Sequence, residues 1–148
     1  MITYQDLTEG YVSSTVRLAY KIFKPFKQPD FNLAIQDFNS TTSKCFIAIE
    51  NDEVVGFITL NVFKPLFTDF PKAHISWVAV AETHRRNGIA KVLLQMAEQY
   101  CKGQGCKYVD LSSKISAERE PAHKLYESFG FKSNTQKYFI KHFKYEYK

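Results

Sequence analysis

The stretch VAVAETHRRNGIAKVLL, residues 78–94, contains the end of a strand, a basic glycine-containing turn and the start of a helix. Beyond the turn, apolar residues recur three and four positions apart, which is the spacing of one face of an α-helix. The residues with this spacing are Ile89, Val92, Leu93, Met96, Ala97 and Tyr100. They predict the strongest helix of the chain, which we expect to stop near Gly103 and Gly105.

The turn before this helix has the features of a phosphate-binding turn. A helix N-terminus has unpaired backbone N–H groups and partial positive charge, and Gly88 has no side chain to block an anion. Arg85, Arg86 and Lys91 add cations. A tight turn with solvated arginines is the commoner explanation of an isolated RRNG. We expect neither an ATP nor an NAD site, because the turn lacks the Gly-Lys-Ser/Thr of a Walker A loop and the glycines of a dinucleotide-binding turn.

The first part of the chain has a strand pattern followed by two helical patterns. Residues 3–6 are expected to form an opening strand. Apolar residues at helical spacing predict a helix over residues 9–26, which Pro25 and Pro29 interrupt. A second helical pattern covers residues 31–39. We expect this helix pair to precede the main sheet.

A β-hairpin is predicted next. Residues 44–63 contain two β-rich runs joined by the polar turn residues Asn51, Asp52 and Glu53. Two prolines in residues 64–71 predict an irregular loop with room for an acceptor site. A further strand is expected over residues 74–80, immediately before the basic turn.

The last third of the chain predicts a strand, a helix and an aromatic tail. Residues 107–113 have a strand pattern, and the strand, helix, strand order implies that this strand is parallel to residues 74–80. Pro121 fits the first turn of a helix that Gly130 ends. The tail, residues 131–148, alternates aromatic and basic residues, and we expect it to close the sheet as antiparallel strands. The whole pattern is that of one mixed α/β sheet.

Composition narrows the class of protein. The chain has 148 residues, 45% of them hydrophobic, which suits one globular domain over residues 1–148. The N-terminus, MITYQDLTEG, lacks a secretory signal pattern, so a cytoplasmic location is expected. Its three cysteines have no zinc or redox spacing, so we expect free thiols and no metal. The net charge of +5 permits attraction to a nucleic acid, a membrane surface or a phosphorylated cofactor.

Two motifs together resemble one enzyme family. The run RRNGIA, residues 85–90, is similar to the acyl-CoA signature Q/R-x-x-G-x-G/A of the GCN5-related N-acetyltransferase (GNAT) superfamily. Downstream, AHKLYESFGF, residues 122–131, resembles the A-x-x-L-Y-E-x-x-G-F motif of the same superfamily. The resemblance covers residues 74–131. It implies an α/β GNAT fold, a mixed central sheet of six to seven strands with a splayed parallel pair and about four flanking helices. It also implies an acetyl-CoA-dependent N-acetyltransferase.

The resemblance assigns roles to residues. Backbone amides of the turn would bind the pyrophosphate of acetyl-CoA, and the strand before it would pair with the pantetheine arm and supply an oxyanion-binding amide near Val78. Tyr126 would be the general acid that protonates the departing thiolate, although a packing role is the alternative. The cofactor-binding residues implied in this way are Val78, Ala79, Val80, Arg85, Arg86, Asn87, Gly88, Ile89, Ala90 and Lys91.

The chain departs from the family pattern at two places. Many relatives have a glutamate base on the strand before the turn, whereas residues 74–77 here read HISW. The base is therefore left open between His74, Asp110 or Glu50 through water, and an amine that arrives neutral. A structural residue at the end of the strand is the commoner explanation of His74. Arg119 stands where many relatives have an asparagine, and it resembles the R-x-x-A-H-x-x-Y pattern of aminoglycoside and aminoalkylphosphonate N-acetyltransferases. It could contact phosphate or an anionic substrate, or form a surface ion pair.

The acceptor is a primary amine that these motifs do not identify. We favour a small neutral or anionic amine over a polycationic aminoglycoside, because a chain with a net charge of +5 has few carboxylates to spare. We expect no nucleic-acid or membrane partner, and a homodimer is slightly favoured over a monomer. Two alternatives are a nucleic-acid-binding module using the arginines and the basic tail, and an idle GNAT fold that senses acyl-CoA.

Overall fold

The computed structural model describes residues 1–23, 40, 42–113, 119–133 and 136–143. The chain divides into two units, residues 1–113 and 114–148. The first unit contains one sheet with the strand order β1-β2-β3-β4-β5. Its strands are β1 (Thr3–Asp6), β2 (Ser43–Glu50), β3 (Glu53–Phe63), β4 (Lys72–Val80) and β5 (Val109–Leu111). The α-helices are α1 (Val12–Ile22) and α2 (Ile89–Gly103) in the first unit and α3 (Glu120–Ser128) in the second.

The sheet is mixed, as the sequence predicts. Strands β1 to β4 pair antiparallel in chain order, whereas β4 and β5 pair parallel. The hairpin between β2 and β3 turns at Asn51 and Asp52, which have φ angles of 51° and 61°. Two central residues with positive φ are typical of the tight hairpin turn that matches the twist of its strands, and Asn and Asp tolerate this conformation. The predicted hairpin is therefore confirmed.

Helices α1 and α2 cover opposite faces of the sheet. Helix α1 packs with Ile47, Phe57 and Ala79, which alternate on one face of neighbouring strands. On the other face, a Cβ built at Gly56 would lie 2.8 Å from Cγ2 of Ile89 in α2. Both faces of the central strands are therefore buried, and this explains why β2 and β3 read as nearly continuous apolar runs.

The observed elements differ in length from several predictions. The helix predicted over residues 9–26 is a 3-10 turn, Glu9–Tyr11, followed by α1, which ends at Ile22. Pro25 accounts for the early end, since the residue before a proline is disfavoured in helical geometry. The second predicted helix, residues 31–39, lies outside the described residues. Strand β5 is shorter than the predicted residues 107–113.

The prediction of six to seven strands and about four helices is wrong for the residues that the structure describes, which contain five strands and three α-helices. The difference lies in the tail: residues 131–133 and 136–143 contain no strand, and Tyr138, Phe139, Ile140 and Phe143 are exposed. Aromatic and basic residues alternate there as predicted. Alternation favours an extended backbone, but it does not supply a neighbouring strand with free hydrogen-bonding groups.

None of the three described helices combines the length and the apolar character that crossing a bilayer requires. All three cysteines are free. Burial raises the pKa of the Cys45 and Cys101 thiols to about 12, and burial also raises the pKa of Cys106. These thiols are therefore protonated and weakly reactive near neutral pH.

Candidate functional site

The basic turn places an uncapped helix N-terminus in open space. Helix α2 begins after Gly88, which has a φ of 76° and is the N-cap residue, and no side chain of the described residues caps this end. The first helical hydrogen bond runs from Val92 N–H to the Gly88 carbonyl at 3.1 Å. The amides of the first turn therefore keep unpaired N–H groups, where partial positive charge collects. A Cβ at Gly88 would meet no atom within 4 Å, so the approach to these amides is open.

The backbone conformation of the turn resembles an anion-binding nest, a concave surface lined by successive backbone N–H groups. Arg86 has a φ of 67°, a left-handed conformation that costs a non-glycine residue about 1 kcal/mol or more. Left-handed residues at Arg86 and Gly88 alternate with Asn87, an arrangement that turns successive N–H groups toward one concave surface. The side chains of Arg85, Arg86 and Asn87 are exposed. The turn thus offers backbone donors and two guanidinium groups to an anion.

Strand β4 leads into this turn and has one open side. Its ladder with β5 contains only Ala73 to Ile75, opposite Val109 to Leu111. Above Ile75, β4 pairs only with β3 among the described residues. The parallel ladder therefore ends before the strand reaches the turn. The splayed geometry that the resemblance implies stays a prediction.

A hydrogen bond at the start of β3 shows which β4 amides face the open side. The Ala81 N–H donates to the Val55 carbonyl at 2.8 Å, so Ala81 turns its amide toward β3. Backbone groups alternate along an antiparallel ladder, so the amides of Ala79 and Trp77 also face β3, while Val80 and Val78 face away from it. The Val80 carbonyl accepts a long hydrogen bond from Nε of Arg85, at 3.5 Å, which agrees with this direction. Within the described residues, backbone groups of Val78 and Val80 that have no ladder partner thus line the open side directly below the turn.

Glycine in the middle of β3 allows α2 to pack closely over this strand. A Cβ at Gly56 would lie 2.8 Å from Cγ2 of Ile89, 3.2 Å from the Ala79 carbonyl oxygen and 3.4 Å from Cδ1 of Leu93. Gly56 therefore holds the N-terminus of α2 against the sheet, although sequence reasoning did not single it out. The available signal was a glycine inside the apolar run VVGFITL, because such a glycine often marks a close approach.

The three candidate bases fall into two separate carboxylate–histidine pairs. Nδ1 of His74 in β4 lies 2.5 Å from Oδ1 of Asp110 in β5. Glu50, at the end of β2, instead binds Nε2 of His84 at 2.9 Å, and this hydrogen bond holds the pKa of the Glu50 carboxyl below its ordinary value. A carboxylate on Nδ1 fixes the imidazole so that the lone pair of neutral His74 is on Nε2. The first pair has the arrangement of a general base with its orienting group.

The distance along β4 between His74 and Val78 limits how His74 could act as a base. It precedes Val78 by four residues, which is about 13 Å along a regular strand. A base needs to reach its proton directly or through one water molecule. His74 therefore suits an amine that binds near Trp77, with a water molecule as relay. Trp77 packs on Phe23 there, with ring centroids 4.5 Å apart.

Arg119 and Tyr126 belong to the second unit. Tyr126, in α3, is half-buried, and its ring packs edge-on to Phe131 with centroids 6.0 Å apart. Burial raises the pKa of the Tyr126 phenol, and the Arg119 charge opposes this rise. The phenol therefore remains protonated at neutral pH, as a general acid must. Arg119 is exposed and forms no ion pair within the described ranges, so a surface pair with Glu120 is absent. Glu118, the other expected partner, lies outside the described residues.

No group of three or more His, Cys, Asp or Glu side chains that could hold a metal ion occurs in the part of the chain that the structure describes.

Comparisons with known proteins agree on one family. The family model described as the acetyltransferase (GNAT) family matches residues 5–131. The uncharacterized N-acetyltransferase YsnE of Bacillus subtilis is 35% identical over 132 residues, which cover 88% of this chain and 84% of that protein. Human N-acetyltransferase 8 is 31% identical over 112 residues, or 74% of this chain, and the match spans only 48% of the human protein.

Solved structures share the fold at lower identity. A transcriptional regulator from Bacillus halodurans has a TM-score of 0.80 at 22% identity, covering 97% of this chain and 100% of that chain. The aminoglycoside N-acetyltransferase AAC(6')-Iy in complex with CoA has a TM-score of 0.81 at 15% identity, covering 96% and 95% of the two chains. Similarity at this level shows the fold alone. On the family match and the curated relatives, the chain belongs to the acetyltransferase (GNAT) family and is an N-acetyltransferase by enzyme class.

Proposed function

We propose that residues 1–148 act as an acetyl-CoA-dependent N-acetyltransferase domain that transfers an acetyl group to a primary amine of a small molecule. The observation that carries the proposal is the uncapped N-terminus of α2, which lies at the top of the open side of β4. The pyrophosphate of acetyl-CoA suits the N-terminus of α2, because the amides there have no helical partner, the space at Gly88 is open and two exposed arginines lie beside it. The extended pantetheine arm, which contains amide groups, suits the open side of β4, since it can form hydrogen bonds with the strand backbone there. A relative of the same fold was solved in complex with CoA.

Each part of the site has a proposed role. Backbone amides of Arg86 through Lys91 bind the pyrophosphate, and the Arg85 and Arg86 side chains add positive charge. Of the three residues on the adjoining strand, Val78 and Val80 present backbone groups to the open side, and Ala79 spaces them. Acetyl-CoA supplies an activated thioester, and the Val78 N–H stabilises the negative charge that develops on its carbonyl oxygen.

Proton transfers are assigned to two side chains. His74, oriented by Asp110, accepts the proton that the attacking amine nitrogen loses as its bond to the acetyl carbon forms. Tyr126 donates its phenolic proton to the sulfur as the carbon–sulfur bond breaks. Direct attack is preferred over an acetyl-cysteine intermediate, because the pKa of the buried Cys45 and Cys101 thiols is about 12.

The acceptor is proposed to be a small neutral or anionic amine, and Arg119 is the residue that could recognise an anionic group. Several solved structures of this fold are described as aminoglycoside acetyltransferases. The net charge of +5 leaves few carboxylates for a polycation. This preference is tested by screening amines for thiol release.

Calorimetric titration with acetyl-CoA tests the binding part of the proposal. We expect micromolar affinity that ATP does not reproduce. In Gly88→Glu a carboxylate would face the pyrophosphate, so affinity should fall on the order of 100-fold or more. Gly105→Glu is the matched control, because Gly105 also has a positive φ, 87°, a Cβ there would meet no atom closer than 3.9 Å, and the charge change is the same. Equal losses in both variants, or no binding by the wild type, would refute the assignment.

Tyr126→Phe tests the catalytic part. Removing the phenolic proton should lower kcat about 100-fold and leave the Kd for acetyl-CoA unchanged. Since burial raises the pKa of Tyr126 above 10, the alkaline fall of kcat in the wild type should lie above pH 10. Wild-type kcat in Tyr126→Phe would assign the tyrosine to packing. A wild type that binds acetyl-CoA but acetylates no amine would favour the idle acyl-CoA-sensing alternative.

A further inference from the structure

A chain of polar side chains crosses three strands below the open side of β4. The Ser76 hydroxyl of β4 donates to Oδ1 of Asn61 in β3 at 2.9 Å. Nδ2 of Asn61 donates in turn to the Ser43 hydroxyl of β2 at 3.1 Å and to the Thr42 carbonyl at 3.3 Å. Asn61 therefore uses both ends of its amide to tie β4 to β2 across β3.

Ser76 is the extra residue of a β-bulge. Thr59 pairs with Trp77, but the next residue of β3, Leu60, pairs with Ile75, so Ser76 has no ladder partner. The irregularity belongs to β4 alone. Val55 faces β4, since its carbonyl accepts from Ala81 N–H, and Val62 faces β2, since its N–H donates to the Thr42 carbonyl. Val62 follows Val55 by seven positions, an odd number, which agrees with a regular alternation of β3 between them on its β4 side. The separate irregularity between β2 and β3 lies at Val55, at the end of this stretch.

The bulge decides which amides face the open side of β4. Below it, Ile75 faces β5 and pairs with Leu111. Regular alternation from Ile75 would turn Trp77 and Ala79 toward the open side. The extra residue shifts this set by one, so that Val78 and Val80 face it instead. Without the bulge, the Val78 amide would turn into the ladder with β3.

The bulge lies where the sheet itself holds β4 least. Above Ile75, the described residues give β4 a ladder on one side only. The extra residue of a bulge has no ladder partner, so its position depends more on side-chain contacts than that of a paired residue does. The Ser76–Asn61 hydrogen bond is the side-chain contact that joins this residue to the continuous part of the sheet.

We propose that Asn61 is a positioning residue, which by holding Ser76 keeps the β4 bulge in register and aims the Val78 N–H at the acetyl carbonyl. This inference rests on the proposed binding of acetyl-CoA. Asn61 touches neither the thioester nor the amine; it acts through Ser76 and the strand backbone.

The carbonyl stretch of bound acetyl-CoA tests this without an acceptor. Isotope-edited infrared spectra of the wild-type complex, with carbon-13 in the acetyl carbonyl, should show a lower frequency than free acetyl-CoA, because a hydrogen bond weakens the carbonyl bond. Ser76→Ala and Asn61→Ala should lose most of this downshift while still binding acetyl-CoA. Ser43→Ala is the matched control: it removes an Asn61 partner but leaves the Ser76 bond and the Thr42 bond, so the downshift should remain.

The outcomes separate the inference from the proposed function. If the wild type does not bind acetyl-CoA, the proposed function fails. If it binds with a lowered frequency that Ser76→Ala also shows, the inference is overturned and the proposed function stands. Ser76 is exposed, so Ser76→Ala should fold even if Asn61→Ala does not, and it then decides alone. With an accepted amine, both variants should lower kcat about 10-fold to 100-fold, with little change in KM for acetyl-CoA.

Discussion

The two halves of strand β4 have different surroundings. In the lower half, Lys72 to Ile75, the residues from Ala73 onward have a ladder on both sides, and His74 lies next to Asp110. The upper half, Trp77 to Val80, has a ladder with β3 alone among the described residues and leads to the basic turn. The lower half is thus built for stability and for one oriented side chain, whereas the upper half has backbone groups available for binding. One extra residue, Ser76, separates them.

Proline substitutions in the upper half should have the largest effects, one on kcat and the other on the free energy of unfolding. In Val78→Pro the amide lost faces the open side, so no ladder bond is broken, and kcat should fall about 100-fold or more. In Ala79→Pro the amide lost faces β3, so the free energy of unfolding should fall by about 3 kcal/mol. Thiol-release kinetics and urea denaturation measure the two effects. Equal destabilisation by both substitutions would contradict the assigned amide directions.

A substitution in the lower half should have a smaller effect, on rate alone. Asp110→Asn keeps the size of the side chain but removes the charge that orients and supports His74, so kcat should fall about 10-fold to 100-fold near neutral pH. Acetyl-CoA affinity should stay the same. Glu50→Gln is the matched control, because it changes the other carboxylate–histidine pair in the same way. A larger kcat loss in Glu50→Gln would move the base to Glu50.

The smallest effect is expected where α2 packs over the upper half. In Gly56→Ala the new methyl group would overlap Cγ2 of Ile89, so the free energy of unfolding should fall by about 1–3 kcal/mol. The displaced helix N-terminus should also weaken acetyl-CoA binding severalfold. Gly10→Ala, with no atom within 4 Å of the added methyl, should be neutral or slightly stabilising. Thermal denaturation and calorimetry compare the pair, and a stable Gly56→Ala that binds normally would remove the role given to Gly56.

Local patterns were enough to predict much of this fold. Helix α2, the hairpin at Asn51 and Asp52, the loop of residues 64–71 and the parallel β4–β5 pair all follow from periodicity and turn residues. These features depend on neighbours in the sequence. The tail was predicted less well, because alternating residues such as those around Tyr138 specify an extended chain but no strand to pair with.

The basic turn was the part of the candidate site that a sequence motif could predict, because its backbone geometry follows from the motif. Gly88 and the helix start identified the basic turn, and the structure adds that Arg86 has a positive φ. The contact of His74 with Asp110 depends on the register of β4 and β5, which residues 36 positions apart in the chain do not reveal. Asn61 and Ser76 were missed for the same reason, since a bulge leaves no trace in the hydrophobic pattern.

The high pKa of the buried cysteines has a practical consequence for measuring this enzyme. Release of CoA is conveniently counted with a thiol-reactive dye, and protein thiols usually add a background. Burial raises the pKa of the Cys45 and Cys101 thiols to about 12, so both stay almost entirely protonated at pH 8. An unburied thiol, with a pKa of about 8.5, is substantially ionised under the same conditions. Cys45 and Cys101 should therefore react little with the dye. Cys106 is the one cysteine to replace if the background from protein thiols must be removed.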